Sequence, residues 1–137
     1  MDADLRDTGT ILERAAGTLD FSRPIAIMLL AVLHLIPDED DPYQLVTGLL
    51  AAVPPGSYLT ISHIASDIVT AVADARDRVG EFMPGQQTYR SHSEVMRFFE
   101  GLDLAPPGLV RVQDWRPDTE LEAKSSSALW GGVGRKG

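Results

Sequence analysis

The sequence predicts an α/β fold, and three observations carry that expectation. Residues 25–33 form an apolar run without alternation, the pattern of a strand covered on both faces in a parallel sheet. A helix-start signal follows, with Asp41 as cap, Pro42 at the first helical position and Gln44 completing a capping-box pattern. After the stop Pro54-Pro55-Gly56, residues 58–64 read as a second strand, so strand, helix and strand follow one another as in a crossover unit.

The remaining elements take their places around this unit. Asp7-Thr8-Gly9-Thr10 precedes Ile11, Leu12, Ala15, Ala16 and Leu19, a helical stripe behind cap-type residues that ends at Ser22-Arg23-Pro24. The helix opened by Pro42 runs to about 53, its stripe being Leu45, Val46, Leu49, Leu50 and Val53. Residues 67–82 carry Ile68, Val69, Val72, Ala75 and Val79 at helical spacing, with Pro84-Gly85 behind them. A polar loop at 86–90 leads to Ser91-His-Ser-Glu94, a second capping box, and a helix through Val95, Met96, Phe98, Phe99 and Leu102. Pro106-Pro107-Gly108 marks its exit, and residues 109–115 and 128–135 read as late strands joined by a polar connection at 119–127. In the last strand, Gly131-Gly-Val-Gly134 is expected to allow close backbone packing. It cannot open a helix as a dinucleotide fingerprint must, because only three residues follow it.

Composition narrows the function. At 137 residues with 44% apolar content, one modest domain is expected. A net charge of -8 repels phosphate backbones and anionic headgroups, which argues against nucleic-acid and membrane-surface partners. The absence of cysteine removes disulfides, thiolate nucleophiles and Cys-ligated metals, and fits a cytoplasmic protein. The three histidines lack ligand spacing, and the acidic stretch at 38–41 lacks the alternating ligands and central glycine of a calcium loop, so no metal is expected. Its ordinary role is to place negative charge at a helix N-terminus.

In order and spacing, several segments resemble one known family. They are Asp2-Ala-Asp-Leu-Arg-Asp7, Arg23-Pro-Ile-Ala26, Ala31-Val-Leu-His-Leu-Ile-Pro-Asp38, Pro55-Gly-Ser-Tyr-Leu-Thr-Ile-Ser-His63, Phe98-Phe-Glu-Gly-Leu102 and Trp130-Gly-Gly-Val-Gly-Arg-Lys136. Together the chain resembles the bacterial S-adenosyl methyltransferases whose physiological substrate is generally unassigned, over nearly its whole length. The resemblance implies the C-terminal half of a Rossmann-like class I methyltransferase sheet. The chain would be a single partial domain over 1–137, truncated at its N-terminus, that supplies strands four to seven and their flanking helices. It implies S-adenosylmethionine as cofactor, lying over the carboxyl ends of the strands. By the same resemblance, Asp4 and Leu5 match the position after the third strand, where a carboxylate accepts from the adenine amino group and the next amide reaches the ring. Leu33 and His34 match the end of the fourth strand, which flanks the cofactor. The glycine-rich segment of the family falls outside the matched residues.

The catalytic candidates are His34 and His63, two imidazoles expected on one sheet edge where a small-molecule acceptor could lose a proton. His92, in the first turn of a capped helix, is expected to have a surface role. Ser62 and Ser66 lack the setting of a hydrolase elbow. A second reading makes the chain a non-catalytic module. In it, the edge of the 25–33 strand pairs with another copy of the chain, giving a homo-oligomer, or with a separate N-terminal half. A third is an unrelated small α/β enzyme with its site at His34 and His63. If the first strand is covered on both faces, Leu30→Asp should abolish folding.

Overall fold

The computed structural model describes residues 2–68, 87–124 and 126–137. Asp7 caps α1 (Thr8–Ala16), its carboxylate accepting from the Thr10 amide at 3.1 Å, as the residues ahead of the stripe predict. β1 (Ala26–Leu30) ends before 33, because Ala31 takes a positive φ of 49° and turns the chain away. The Ala31 amide donates to the Ser62 carbonyl and hydroxyl, and Leu33–Leu35 winds into a 3-10 turn. A second such turn, Asp38–Asp40, brings in Asp41, whose carboxylate caps α2 (Pro42–Ala51) by accepting from the Gln44 amide.

β2 occupies Tyr58–Ile64, the bounds read from the sequence, and lies parallel to β1 with Leu29 opposite Ile61. The helix expected at 67–82 falls almost wholly on residues 69–86, outside those described. Ser91 and Glu94 form both bonds of the capping box, but α3 (His92–Met96) is short and passes into a 3-10 turn at Arg97–Phe99 rather than reaching 102. β3 (Asp103–Leu104) follows. Of the strand expected at 109–115 only β4 (Val110–Arg111) pairs; Val112–Asp114 turns instead and buries Gln113. The polar connection contains a short helix, α4 (Glu120–Ala123), with Thr119 as cap, before β5 (Leu129–Arg135). The strands are ordered β1-β2-β5-β3, with β4 also on β5, and all pairs except β1–β2 are antiparallel.

Period-two alternation of β2 sends Leu59, Ile61 and His63 to one face, where Leu29 joins them. Against that face pack Leu45, Val46 and Leu49 of α2 and Val95, Phe98 and Phe99 of the α3 region. β5 presents Gly134 and Gly132 opposite Leu59 and Ile61. A Cβ on Gly134 would stand 3.0 Å from the Phe99 ring and 3.1 Å from Leu102, so the glycines let the α3 region lie directly on the strand. Gly134→Val is therefore expected to cost about 1 to 3 kcal/mol by overpacking. A urea midpoint equal to wild type would refute this account of the glycines.

The other face differs from the expectation of a strand covered on both sides. Leu29 is 6% exposed, but Met28 and Leu30 are 61% and 51% exposed. The helical packing described above lies on the Leu29 face alone, and β1 closes the strand order, so its outer edge has no partner strand among the described residues. On this open face Leu30, Thr60, Ser62, Val112, Trp115 and Val133 line a groove of about 360 Å³. Among the described residues no helix is long and apolar enough to cross a membrane.

Candidate functional site

Parallel pairing brings the carboxyl ends of β1 and β2 to one edge of the sheet, and most of the expected site residues lie on or beside the chain leaving them. Leu33 and His34 sit in the 3-10 turn after β1 rather than at the strand's end, and both are buried. His63, near the end of β2, is fully buried, with its ring 6.4 Å from that of His34 in an edge-on arrangement and a further 6.2 Å contact to Phe98. The two imidazoles predicted to share an edge are thus brought together.

Beside His63 lies a residue that sequence reasoning passed over. Arg90, in the stretch read as a polar loop, is 1% exposed. Its backbone docks beside the end of β2, its amide donating to the Ile64 carbonyl and its carbonyl accepting from Ser66. One guanidinium nitrogen donates to the Leu33 carbonyl at 3.0 Å and to His63 Nε2 at 2.9 Å. The other donates to the Ile36 carbonyl at 2.9 Å and to the Asp38 carboxylate at 2.8 Å. Two residues earlier, the Thr88 amide donates to the His34 carbonyl. No local signal marks Arg90, since its partners lie 27 to 57 positions away.

These contacts dictate the state of His63. A guanidinium can only donate, so Nε2 must accept, and the Ile64 carbonyl can only accept, so Nδ1, 2.9 Å from it, must carry the proton. Burial is the main reason that the His63 pKa falls from 6.5 to about 4, with the Arg90 cation and His34 adding to it against the Ile64 hydrogen bond. His63 is therefore neutral at neutral pH.

Asp4 and Leu5 belong to an N-terminal turn closed by the Asp7 amide on the Asp4 carbonyl, with Leu5 packed against the core. The Asp4 carboxylate accepts from the Arg6 amide and guanidinium, and Arg6 Nε reaches Asp40 at 2.8 Å. This ties the turn to the loop after β1. The acidic stretch is thus divided in its duties: Asp38 holds Arg90, Asp40 holds Arg6, and only Asp41 caps the helix. That corrects the expectation of simple helix-terminal charge. Among the described residues no group of three or more His, Cys, Asp or Glu is placed to hold a metal.

His92 also departs from its expected surface role. It is half-buried, Nε2 donating to the Leu109 carbonyl at 2.8 Å and its ring edge-on to Trp130. Its amide and the Trp130 indole both donate to the Asp67 carboxylate, at 3.0 and 2.8 Å. Burial alone would raise the Asp67 pKa, but these hydrogen bonds outweigh it and hold the group below its ordinary value. The three residues brace the sheet beside the imidazole pair, Trp130 standing opposite His63 in the β2–β5 register.

Comparison with known proteins agrees with this architecture. The sequence profile of the S-adenosyl methyltransferase family matches residues 1–137. A DUF574-family protein from Streptomyces avermitilis is 35% identical, with a TM-score of 0.85, over 100% of this chain and 54% of its own. A protein from Thermobifida fusca, provisionally described as a methyltransferase, is 31% identical with a TM-score of 0.85, over 99% of this chain and 53% of its own. Human N-acetylserotonin methyltransferase, solved with S-adenosylmethionine, shares the fold at 11% identity and a TM-score of 0.58, over 100% of this chain and 33% of its own. No curated protein matches the chain. It spans about half the length of the first two solved relatives, and on the full-length profile match and its 35% identity to one of them the chain belongs to the S-adenosyl methyltransferase family.

Proposed function

We propose that this chain is the C-terminal portion, a single partial domain, of a cytoplasmic S-adenosylmethionine-dependent methyltransferase acting on a small molecule. The observation that carries the reading is the joining of the Asp4 turn to the loop after β1 through Arg6 and Asp40, at the carboxyl edge of a parallel pair. In sheets of this class ligands bind beyond that edge. A carboxylate has about four acceptor positions, so Asp4, although it binds Arg6, keeps capacity to accept from an adenine amino group. The Leu5 backbone beside it and the Leu33–His34 turn would form the adjoining wall, and the carboxylates of Asp4 and Asp40 suit a cationic ligand.

When bound, the cofactor supplies an electrophilic methyl group on a sulfonium. This chain's part is then to position it, a contribution that can reach about 7 to 11 kcal/mol for a complete site. An acceptor that must lose its proton needs a base nearby, and His34 is the candidate on the loop; His63, whose two ring nitrogens are taken by Arg90 and the Ile64 carbonyl, is not available for that role.

Calorimetry of the purified chain with S-adenosylmethionine and S-adenosylhomocysteine tests the proposal. Micromolar binding is expected if half a site suffices, and Asp4→Ala should weaken it about tenfold without lowering the melting temperature. Wild-type affinity in Asp4→Ala would remove Asp4 from the site.

The open edge of β1, with Met28 and Leu30 exposed, favours a second reading in which the chain acts as an interaction module. Its partner strand would come from a separate N-terminal half or from a second copy. Light scattering on the same sample separates a monomer that binds cofactor from an assembly that does not.

A further inference from the structure

A fully buried arginine is rare and costly unless every nearby acceptor is turned to it. At the two terminal nitrogens of Arg90 the acceptors do converge, two backbone carbonyls, one carboxylate and one imidazole nitrogen, while Nε is buried without a hydrogen-bond partner among the described residues. The carbonyls belong to Leu33, which opens the turn that carries His34, and to Ile36, the residue that follows it. Backbone of this kind, with Ala31 at positive φ just before it and Asp41 at positive φ just after it, needs such outside support.

We propose that Arg90 is the positioning residue of this site. Its guanidinium sets the backbone of residues 33–38 and fixes His63 as a neutral imidazole protonated on Nδ1, so that His63 has no lone pair left for a substrate proton. In this view the buried cation does not meet the substrate. It is the fixed point from which the loop after β1 is hung, and it separates the duties of the two histidines. Lysine cannot replace it, since an ammonium is a point charge without the planar fork that serves carbonyls, carboxylate and ring together.

The wider significance rests on reading the loop as a wall of the cofactor site, so the experiment keeps the two apart. Histidine ¹⁵N NMR of the free chain at pH 7 should show His63 as the neutral Nδ1–H tautomer. In Arg90→Lys, with folding checked by circular dichroism, His63 should become a tautomer mixture. Exchange protection of the Leu35 and Ile36 amides, which bond to Val32 and Leu33, should fall at least about tenfold while that of Leu59 and Ile61 is kept. Affinity for S-adenosylhomocysteine should drop by a similar factor.

An unchanged tautomer and unchanged loop protection in Arg90→Lys would overturn the proposal, as would altered NMR with unaltered affinity. If Arg90→Lys does not fold, the wild-type spectrum decides: His63 protonated, or carrying its proton on Nε2, overturns it. If the wild-type chain binds no adenosyl ligand, the methyltransferase reading of the isolated chain fails, while the tautomer and exchange results still judge Arg90.

Discussion

Leu29→Asp is expected to unfold the chain, and Leu30→Asp is not. The two neighbours point to opposite faces of β1. Leu29 lies against Ile61 and the α2 helix side of the sheet at 6% exposure, so an aspartate there strands an unpaired charge in the core and also removes a packed side chain. Together these cost about 5 kcal/mol or more, comparable with the whole stability of a small domain. Leu30, half exposed over the open groove, should lose only about 1 kcal/mol when replaced. Urea melts of the two variants check this. A cooperative transition in Leu29→Asp, or its absence in Leu30→Asp, would mean that the inward face of β1 has been misassigned. Leu30→Asp has a second use, because it should abolish any assembly built on the β1 face while sparing the fold.

The contrast marks where sequence reasoning succeeds and where it stops. Local signals were legible. Asp7, Asp41 and the Ser91–Glu94 box start helices where read, because a cap is decided by atoms within one turn. β2 is legible to the residue, since Pro54-Pro55-Gly56 and the apolar pattern bound it closely. The apolar run at 25–33 does report a strand and a turn, but its composition cannot say whether a layer covers its second face. The α3 region departs from a regular helix after Met96, where Phe98 and Phe99 are buried and Phe99 lies against Gly132 and Gly134. Residues 109–115 alternate correctly yet pair only at Val110–Arg111, because pairing is a property of the neighbour as much as of the strand. Of the site, the His34–His63 juxtaposition is legible in the sequence, whereas the acidic loop reads only as helix-terminal charge and not as the anchor of Arg6 and Arg90. Arg90 is not legible, because a buried cation with distant partners reads locally as one more polar loop residue.

Between pH 6.5 and 4 the chain is expected to lose about 3 kcal/mol of folding free energy through His63 alone. In the unfolded chain the imidazole titrates at its ordinary 6.5, whereas in the fold burial and Arg90 depress the value to about 4. The unfolded state therefore binds the extra proton across this window, and stability falls as pH drops. A separation of about two and a half pH units corresponds to about 3 kcal/mol. Asp7 and Asp20, held down by hydrogen bonds, and Asp67, whose hydrogen bonds overcome its burial, are lowered from 3.8 and so begin to withdraw their stabilisation below about pH 5, at the acid end of the same window. His63→Gln supplies the control. Its amide oxygen can accept from Arg90 and its amide nitrogen can donate to a carbonyl, but it does not titrate. Urea unfolding at steps from pH 7 to 4 should show a steep decline in wild type and a flatter one in His63→Gln, the difference growing to about 3 kcal/mol at the acid end. Parallel declines in the two proteins would mean that His63 is already able to take a proton in the fold, and with it the tautomer lock by Arg90 would fall.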